Sequence, residues 1–263
     1  MPLLDGKRLL ITGVLTTDSL AYAVARRALE EGAHVALSGF GRGMSLTTRS
    51  ARRLADVGDV GDVVELDVTS PDQLAAARDV LGSRFGRLDG VLHAIGYAPP
   101  DCLGHGMLAA SAEDVGVAFT VSTYSLAALV GAMLPLLELA GADGGASVVG
   151  LDFDGTRAYP MYDWMGVAKA GLESLCRYLA RDLGGRGIRV NLIAAGPLRS
   201  VAAKSIPGFG SFEDAWGDHA PLGWDVHDAT PVGNAAVALF SDLLGSTTGQ
   251  VLHVDGGVHM LGM

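Results

Sequence analysis

The chain has 263 residues, of which 49% are hydrophobic, and it carries a formal net charge of −10. This is enough apolar material for the core of one α/β domain, and the excess of acidic residues argues against a surface that binds nucleic-acid phosphates. The two cysteines, Cys102 and Cys176, are far apart and have no metal-ligand spacing, so we expect neither a metal site nor a disulfide framework.

Short apolar runs rich in valine, isoleucine and leucine alternate with longer helical patterns along the chain. The predicted strands are 8–13, 34–39, 63–68, 90–96, 146–153, 189–196 and 250–257. The predicted helices are 20–32, 70–86, 115–137, 163–184 and 230–245. Strands that are apolar over nearly their whole length are typical of a parallel sheet covered on both faces. The alternation therefore predicts an α/β fold, a doubly wound Rossmann-type parallel sheet in a single domain over residues 1–263.

The predicted helix 115–137 contains no charged residue and is long enough to resemble a membrane span. It also contains five hydroxyl-bearing residues between Thr120 and Ser125, and a proline at 135. We interpret it as a helix buried in the core and at a subunit interface. The N-terminus lacks the long apolar core and the cleavage site of a signal peptide. We therefore expect a cytoplasmic protein that does not bind membranes.

The stretch 199–230 shows no clear periodicity. It contains four glycines and two prolines, but also apolar side chains such as Ile206, Phe212 and Trp216. A long irregular segment with apolar side chains inside a compact domain usually has a function. We predict that it is a mobile substrate-binding loop that covers an apolar ligand.

The chain lacks the strongest motif for a dinucleotide site, because the turn VLTTD after Gly13 does not match G-x-G-x-x-G. A strand–turn–helix unit still offers free backbone N–H groups and a positive helix end to a pyrophosphate. Ser19 is expected either to cap the helix and contact this phosphate, or only to cap the helix. After the second strand, Phe40 is a candidate to pack on adenine, and Arg42 is a candidate to contact a phosphate. Neither residue determines whether the cofactor is NAD or NADP. Asp67 is placed either to accept from the adenine amino group or to cap the next helix.

The stretch YDWMGVAK places Tyr162 and Lys169 seven residues apart, which on a helix puts them on one face about 10 Å apart along the axis. This spacing suits a lysine that binds the nicotinamide ribose and a tyrosine that reaches the reacting oxygen of the substrate. A tyrosine hydroxyl is neutral unless a nearby cation lowers its pKa, so it would donate a hydrogen bond to a carbonyl oxygen that gains charge as hydride arrives. The alternative is a core tyrosine and a surface lysine on an amphipathic helix.

Eight stretches, in this order, carry a family resemblance: LLDGKRLLITG, ELDVT, LDGVLHAIG, VVGLDFD, YDWMGVAKAGLES, NLIAAGPLRS, WDVHDATP and TTGQVLHVDGG. Together they resemble the enoyl-acyl-carrier-protein reductases of the short-chain dehydrogenase/reductase superfamily, particularly the actinobacterial type to which the isoniazid target belongs. Ordinary short-chain dehydrogenases separate the tyrosine and the lysine by three residues. The catalytic serine of those enzymes would fall on Val149, which disfavours a conventional ketoreductase.

The resemblance implies an oxidoreductase of fatty acid biosynthesis that transfers hydride from NADH to C3 of a trans-2-enoyl thioester of acyl-carrier protein or coenzyme A. Tyr162 would hold the enolate, Lys169 would bind the ribose and Phe153 would flank the thioester. The implied cofactor contacts are Gly13, Ser19, Leu20, Phe40, Asp67, Val68, Gly96, Lys169, Gly196, Pro197, Leu198 and Ser200. The implied acyl pocket consists of Tyr97, Met161, Tyr162, Met165, Ala202, Ile206 and Trp216. The resemblance also implies a homotetramer.

The chain departs from the family pattern in three places. Ala94 stands where the family usually has a serine beside the pyrophosphate, which would weaken cofactor binding. The sequence of the helix after the second strand diverges from the family pattern. The resemblance therefore does not decide whether the cofactor is NADH or NADPH. The substrate-binding loop is shorter than in the mycobacterial relative, which favours acyl chains of ordinary length. These departures keep two alternatives open, a reductase of a C=N or C=O acceptor in secondary metabolism and a dinucleotide-binding regulator without turnover.

Overall fold

The computed structural model describes residues 2–142, 144–201, 203 and 206–262. Within them, seven parallel strands form one sheet in the order β3-β2-β1-β4-β5-β6-β7. The strands are β1 (Arg8–Ile11), β2 (His34–Gly39), β3 (Val64–Glu65), β4 (Gly90–His93), β5 (Ala146–Asp152), β6 (Ile188–Ala195) and β7 (Val251–Val254). The direction of winding reverses between β1 and β4, and ligands of doubly wound sheets bind at the carboxyl ends of strands at such a point. The predicted fold class is confirmed.

Eight α-helices flank the sheet in the described part of the chain. They are α1 (Leu20–Glu30), α2 (Met44–Leu54), α3 (Pro71–Phe85), α4 (Ala112–Phe119), α5 (Ser125–Gly141), α6 (Asp163–Gly184), α7 (Gly210–His219) and α8 (Thr230–Phe240). The buried residues of α3, α5 and α6 form one apolar core with the sheet. Those of α1, α2 and α8 form a second core on the other face. The sheet is therefore covered on both sides, as its apolar strands require.

Three elements differ from the prediction. The predicted strand 63–68 pairs with β2 over only two residues, because the chain then turns around the side chain of Asp67, which accepts from Thr69. The predicted helix 230–245 ends at Phe240, and Ser241 caps a short 3₁₀ turn after it. Helix α7 forms inside the stretch 199–230, where apolar periodicity did not predict a helix.

The uncharged segment forms a continuous helical run over residues 112–141, in which a π turn (Thr120–Tyr124) joins α4 to α5. By length and composition this run could cross a membrane. Its hydroxyl groups, however, bond inside the protein. Ser122 Oγ donates a hydrogen bond to the carbonyl of Tyr97 and accepts one from the N–H of the same residue. Thr123 Oγ1 donates to the carbonyl of Ala168 at 2.7 Å. The leucines of α5 that face the sheet are fully buried, so the run is a core helix.

Candidate active site

The turns that follow β1 and β4 touch at the winding reversal. Thr12 Oγ1 donates to the carbonyl of Leu92 at 2.9 Å and accepts from the N–H of Ala94 at 3.0 Å. Gly13 has φ +79°, and a Cβ at this position would overlap the carbonyl oxygen of Ala94. Gly96 lies in the turn after β4, and a Cβ at this position would lie 3.8 Å from Oγ of Ser122. The crevice between the two strand ends is therefore lined by close backbone, with no side chain at Gly13 to obstruct a ligand.

The amino terminus of α1 faces this crevice, and Ser19 precedes it. Ser19 occupies the N-cap position as predicted, but its side chain makes no capping hydrogen bond to the helix. Its Oγ accepts instead from the N–H groups of Leu15 and Thr16, at 3.1 and 3.0 Å, and closes the turn that enters the helix. Because no side chain caps them, the first N–H groups of α1 stay available to an anion. This end of the helix therefore fits a pyrophosphate.

The residues predicted to hold the adenosine follow β2 and β3. Phe40 is 53% exposed immediately after β2, and Leu20 is half-buried at the start of α1. Val68 is buried in the core. Asp67 Oδ1 accepts from the N–H and the hydroxyl of Thr69 at 2.8 and 2.7 Å, so it shapes the turn before α3. The adenine contact expected of Asp67 stays a prediction.

The segment 196–200 leaves β6 and forms the other wall of the crevice. Trp224 Nε1 donates to the carbonyl of Pro197 at 2.7 Å, which fixes the path of the backbone. Leu198 is buried, and Ser200 Oγ accepts a backbone N–H from three residues further along. The cofactor contacts predicted for this segment stay predictions.

The backbone around Tyr162 is strained. Tyr162 immediately precedes the first residue of α6, and its neighbours Met161 and Asp163 have φ of 64° and 38°, in a region that few residues other than glycine adopt. The Asp163 carboxylate accepts from the N–H groups of His105 and Gly106 at 3.1 and 3.0 Å and so holds this conformation. Such strain persists only where the surrounding structure determines it, and it is common at functional sites.

Tyr162 itself is a buried hydrogen-bond donor beside an aromatic ring. Its side chain is 8% exposed, and burial raises the pKa of its hydroxyl, so the group is neutral at physiological pH. The ring of Phe153, at the end of β5, meets it edge to face with 5.1 Å between centroids. A neutral donor in an apolar surrounding is suited to stabilise charge on a carbonyl oxygen.

Lys169 is buried on the second turn of α6, so the alternative of a surface lysine is wrong. Its Nζ donates to the carbonyl of Leu151 at 2.9 Å and lies 3.7 Å from Oδ1 of Asp152. Neither carboxylate oxygen of Asp152 has a hydrogen-bond partner among the described residues. Burial raises the pKa of Asp152 to about 7, against the attraction of the Lys169 charge, and burial lowers the pKa of Lys169. The pair places a titratable group beside the lysine.

An aromatic cluster covers Tyr162. Its five rings are those of Phe153, Tyr159, Tyr162, Phe212 and Trp216, with neighbouring centroids 4.7 to 6.5 Å apart. Phe212 and Trp216 come from α7, so part of the stretch 199–230 lies directly on the site. The indole N–H of Trp216 is buried without an acceptor in the described structure.

The structure brings most of the predicted acyl-pocket residues to this cluster. The ones that pack in it are Tyr162, Met165, Trp216 and, half-buried, Ile206. Met161 and Tyr97 are 37% and 53% exposed. Ala202 lies outside the described residues. Their contacts with an acyl chain stay predictions.

Two residues of the site, Asp152 and Tyr159, were missed by sequence reasoning, and Phe212 was predicted only as one of the apolar side chains of the stretch 199–230. Asp152 directly precedes Phe153 at the end of a predicted strand, and an acidic residue at that position was an available signal. Tyr159 has no comparable signal, because only the tertiary structure brings its ring to Phe212 of α7.

Comparisons with known proteins agree with this geometry. The family model described as enoyl-(acyl carrier protein) reductase matches residues 13–259. A relative from Mycolicibacterium smegmatis, named enoyl-[acyl-carrier-protein] reductase [NADH], is 41% identical over 97% of each chain. A relative of the same enzyme name from Mycobacterium avium is 38% identical over 97% of each chain. Another from Aquifex aeolicus is also 38% identical, over 100% of this chain and 95% of its own. The chain belongs to the enoyl-(acyl carrier protein) reductase family.

Proposed function

We propose that the protein reduces the double bond of a trans-2-enoyl thioester, carried by acyl-carrier protein or coenzyme A, with NADH in fatty acid biosynthesis. The observation that carries this proposal is the gathering of Tyr162, Lys169 and Phe153 at the carboxyl end of β5 beside the winding reversal. A neutral hydroxyl suits a carbonyl oxygen that gains negative charge, and the resemblance assigns the buried amine to the ribose and the aromatic ring to the thioester. We also assign the protein to the actinobacterial type that includes the isoniazid target, and the support is its similarity to the mycobacterial relatives.

Each of the three side chains has a distinct role in the proposed reaction. The reduced nicotinamide, when bound, supplies a hydride to C3 of the enoyl group. Tyr162 donates its hydrogen bond to the thioester carbonyl oxygen, on which negative charge develops, and this stabilises the enolate before C2 is protonated. Lys169 holds the nicotinamide ribose, and Phe153 flanks the thioester.

The acyl chain enters where α7 now packs. Phe212 and Trp216 fill the space over Tyr162, so the substrate displaces these side chains when it binds. Closure of the same helix over a bound thioester excludes water from the developing enolate. The stretch 199–230 is thus assigned as the substrate-binding loop.

We further propose a cytoplasmic homotetramer. The support is the apolar surface of the helical run 112–141 and of α6, where Tyr124, Leu139 and Val167 are 62%, 55% and 39% exposed. Large apolar side chains at this exposure are suited to burial between subunits.

The test is Tyr162→Phe, measured by oxidation of NADH with short and medium enoyl thioesters. Phenylalanine keeps the ring contacts with Phe153, so we expect unchanged cofactor affinity and a loss of about a hundred- to a thousand-fold in kcat. The matched control is Tyr178→Phe, which removes an exposed hydroxyl from the same helix. Unchanged turnover in Tyr162→Phe would exclude the assigned role, and wild-type turnover only on C=N or C=O acceptors would exclude the proposed substrate class.

A further inference from the structure

The three tryptophans of the chain differ in whether their indole N–H groups have an acceptor. Trp224 Nε1 donates to the carbonyl of Pro197 at 2.7 Å, and Trp164 Nε1 donates to the carbonyl of Met107 at 2.9 Å. Trp216 is buried more deeply than either, at 4% exposure, and its Nε1 has no acceptor in the described structure. A buried tryptophan usually finds a partner for this group, because an unpaired donor costs free energy. The exception therefore needs an explanation.

The unpaired N–H lies at the wall of the crevice and inside the aromatic cluster. A Cβ on Gly196, the first residue after β6, would be only 2.8 Å from Trp216 Nε1, so the indole nitrogen rests against the backbone there. The Trp216 ring also packs on Phe153, with 5.8 Å between centroids, and Phe153 contacts Tyr162 at 5.1 Å. The donor therefore lies beside the space in which the proposed function places the substrate.

The neighbours of this indole in the cluster are either engaged or apolar. The Tyr159 ring, at 6.0 Å between centroids, directs its hydroxyl to Asp154 at 3.3 Å. Phe153 and Phe212, at 5.8 and 6.5 Å, carry no acceptor. A buried donor that no described neighbour pairs is suited to an acceptor that a ligand brings. The site then discriminates against a ligand that lacks this acceptor, because the N–H would stay unpaired.

The chemistry of the proposed substrate limits what this acceptor is. The acyl chain is a hydrocarbon, and the thioester carbonyl is assigned to Tyr162. On the other side of the sulfur, acyl-carrier protein and coenzyme A present the same pantetheine arm, whose first amide follows the sulfur after two methylene groups. The carbonyl of this amide is a good acceptor, and an indole can act only as a donor. The two groups therefore match.

We propose that Trp216 binds the pantetheine arm of the substrate, by donating a hydrogen bond from Nε1 to the amide carbonyl nearest the sulfur. Tyr162 and Trp216 then hold two carbonyl groups of one thioester, one on each side of the sulfur, and Phe153 contacts both side chains. Trp216 is thus a specificity-determining residue that favours thioesters with this carbonyl over simple alkyl thioesters. The inference rests on the proposed function, because it takes the substrate to be an enoyl thioester.

Three trans-2-octenoyl thioesters that differ only in the thiol arm test the assignment. The N-acetylcysteamine thioester carries the amide, the S-(4-oxopentyl) thioester keeps the carbonyl without the amide N–H, and the S-pentyl thioester has neither. The value of kcat/KM is measured by NADH oxidation with the wild type, Trp216→Phe and Phe212→Leu. Phe212→Leu is the matched control, because it removes an aromatic ring from the same helix and the same cluster but no hydrogen-bond donor.

We expect Trp216→Phe to lower kcat/KM for the two carbonyl-bearing thioesters by about ten-fold more than for the pentyl thioester. Phe212→Leu should lower all three values by the same factor, because it removes packing alone. A second measurement needs no variant and follows the indole N–H resonances of the full chain by NMR. One of them should move downfield when the saturated octanoyl thioester of N-acetylcysteamine is added, and none should do so with the saturated pentyl thioester.

The other outcomes overturn the assignment. Equal losses on all three thioesters in Trp216→Phe would show that the indole acts only by packing, and a loss with N-acetylcysteamine alone would show a contact with the amide N–H. A matching loss of NADH affinity would assign the donor to the carboxamide of the cofactor. The absence of enoyl turnover with every thioester contradicts the proposed function instead, and the resonance measurement with the saturated thioesters then still decides this inference.

Discussion

The buried pair of Asp152 and Lys169 leads to a prediction for Asp152→Asn. Two unit charges 3.7 Å apart attract by about 4.5 kcal/mol at an effective dielectric constant of about 20, so the Asp152 charge favours the protonated form of Lys169. The variant removes this attraction with almost no change in side-chain volume. The pKa of Lys169, already lowered by burial, therefore falls further, and the amine becomes neutral at a lower pH than in the wild type.

The expected result is an NADH affinity that depends on pH in the variant. With Lys169 assigned to the ribose, loss of its charge weakens a charge-assisted hydrogen bond, and affinity falls by about ten- to a hundred-fold as the amine deprotonates. The assay is fluorescence titration of NADH between about pH 6 and about pH 9. In the wild type, Asp152 is charged in the upper part of this range and keeps the lysine protonated, so its affinity changes less.

The matched control is Asp89→Asn, which alters an equally buried carboxylate next to the amino end of β4, far from Lys169. If Asp152→Asn and the wild type gave the same pH profile, the pair would not control the charge of the lysine.

The pair also affects unfolding. The pKa of Asp152 is raised to about 7 in the folded state, so the folded protein binds the proton more tightly than the unfolded chain does. The difference in free energy of unfolding, wild type minus Asp152→Asn, should therefore decrease as the pH rises from about 4 to about 7. The decrease is up to about 1.4 kcal/mol per pH unit.

Two further predictions concern the turn of the cofactor crevice and the loop over the site. Gly13→Ala should lower the free energy of unfolding by more than the roughly 1–2 kcal/mol that a left-handed alanine costs, because its Cβ overlaps the neighbouring turn. Gly6→Ala, at φ +70° with open space, is the control in thermal unfolding, and equal losses would show that the overlap is relieved. Glu213→Gln removes an ion pair with Arg199 and should speed amide hydrogen exchange in α7 while changing global stability by less than about 1 kcal/mol. The control Glu138→Gln breaks the exposed ion pair with Arg186. If this variant changed amide exchange in α7 to a similar extent, a local role for Glu213 would be contradicted.

Local patterns in the sequence were sufficient for the architecture and for part of the site. Apolar runs separated by helical patterns predicted the parallel sheet, and the bounds of α6 agree with the prediction at both ends. This works because burial on both faces of a parallel sheet requires continuous apolar strands. The helix geometry expected for Tyr162 and Lys169 was wrong for the tyrosine, because Tyr162 lies just before α6 between two residues with positive φ.

The environment of these side chains was decided only by the tertiary structure. The sequence by itself placed Tyr162 and Lys169 on one helix, but it left open whether the lysine was at the surface. Packing of α6 against β5 buries Lys169 beside Asp152, and packing of α7 against Phe153 brings Phe212 to Tyr162. Desolvation and contacts between distant segments shift pKa values and close a pocket, and neither depends on the local period of the chain. Residue spacing therefore identified the candidate catalytic residues, whereas the fold determined their charge states and their accessibility.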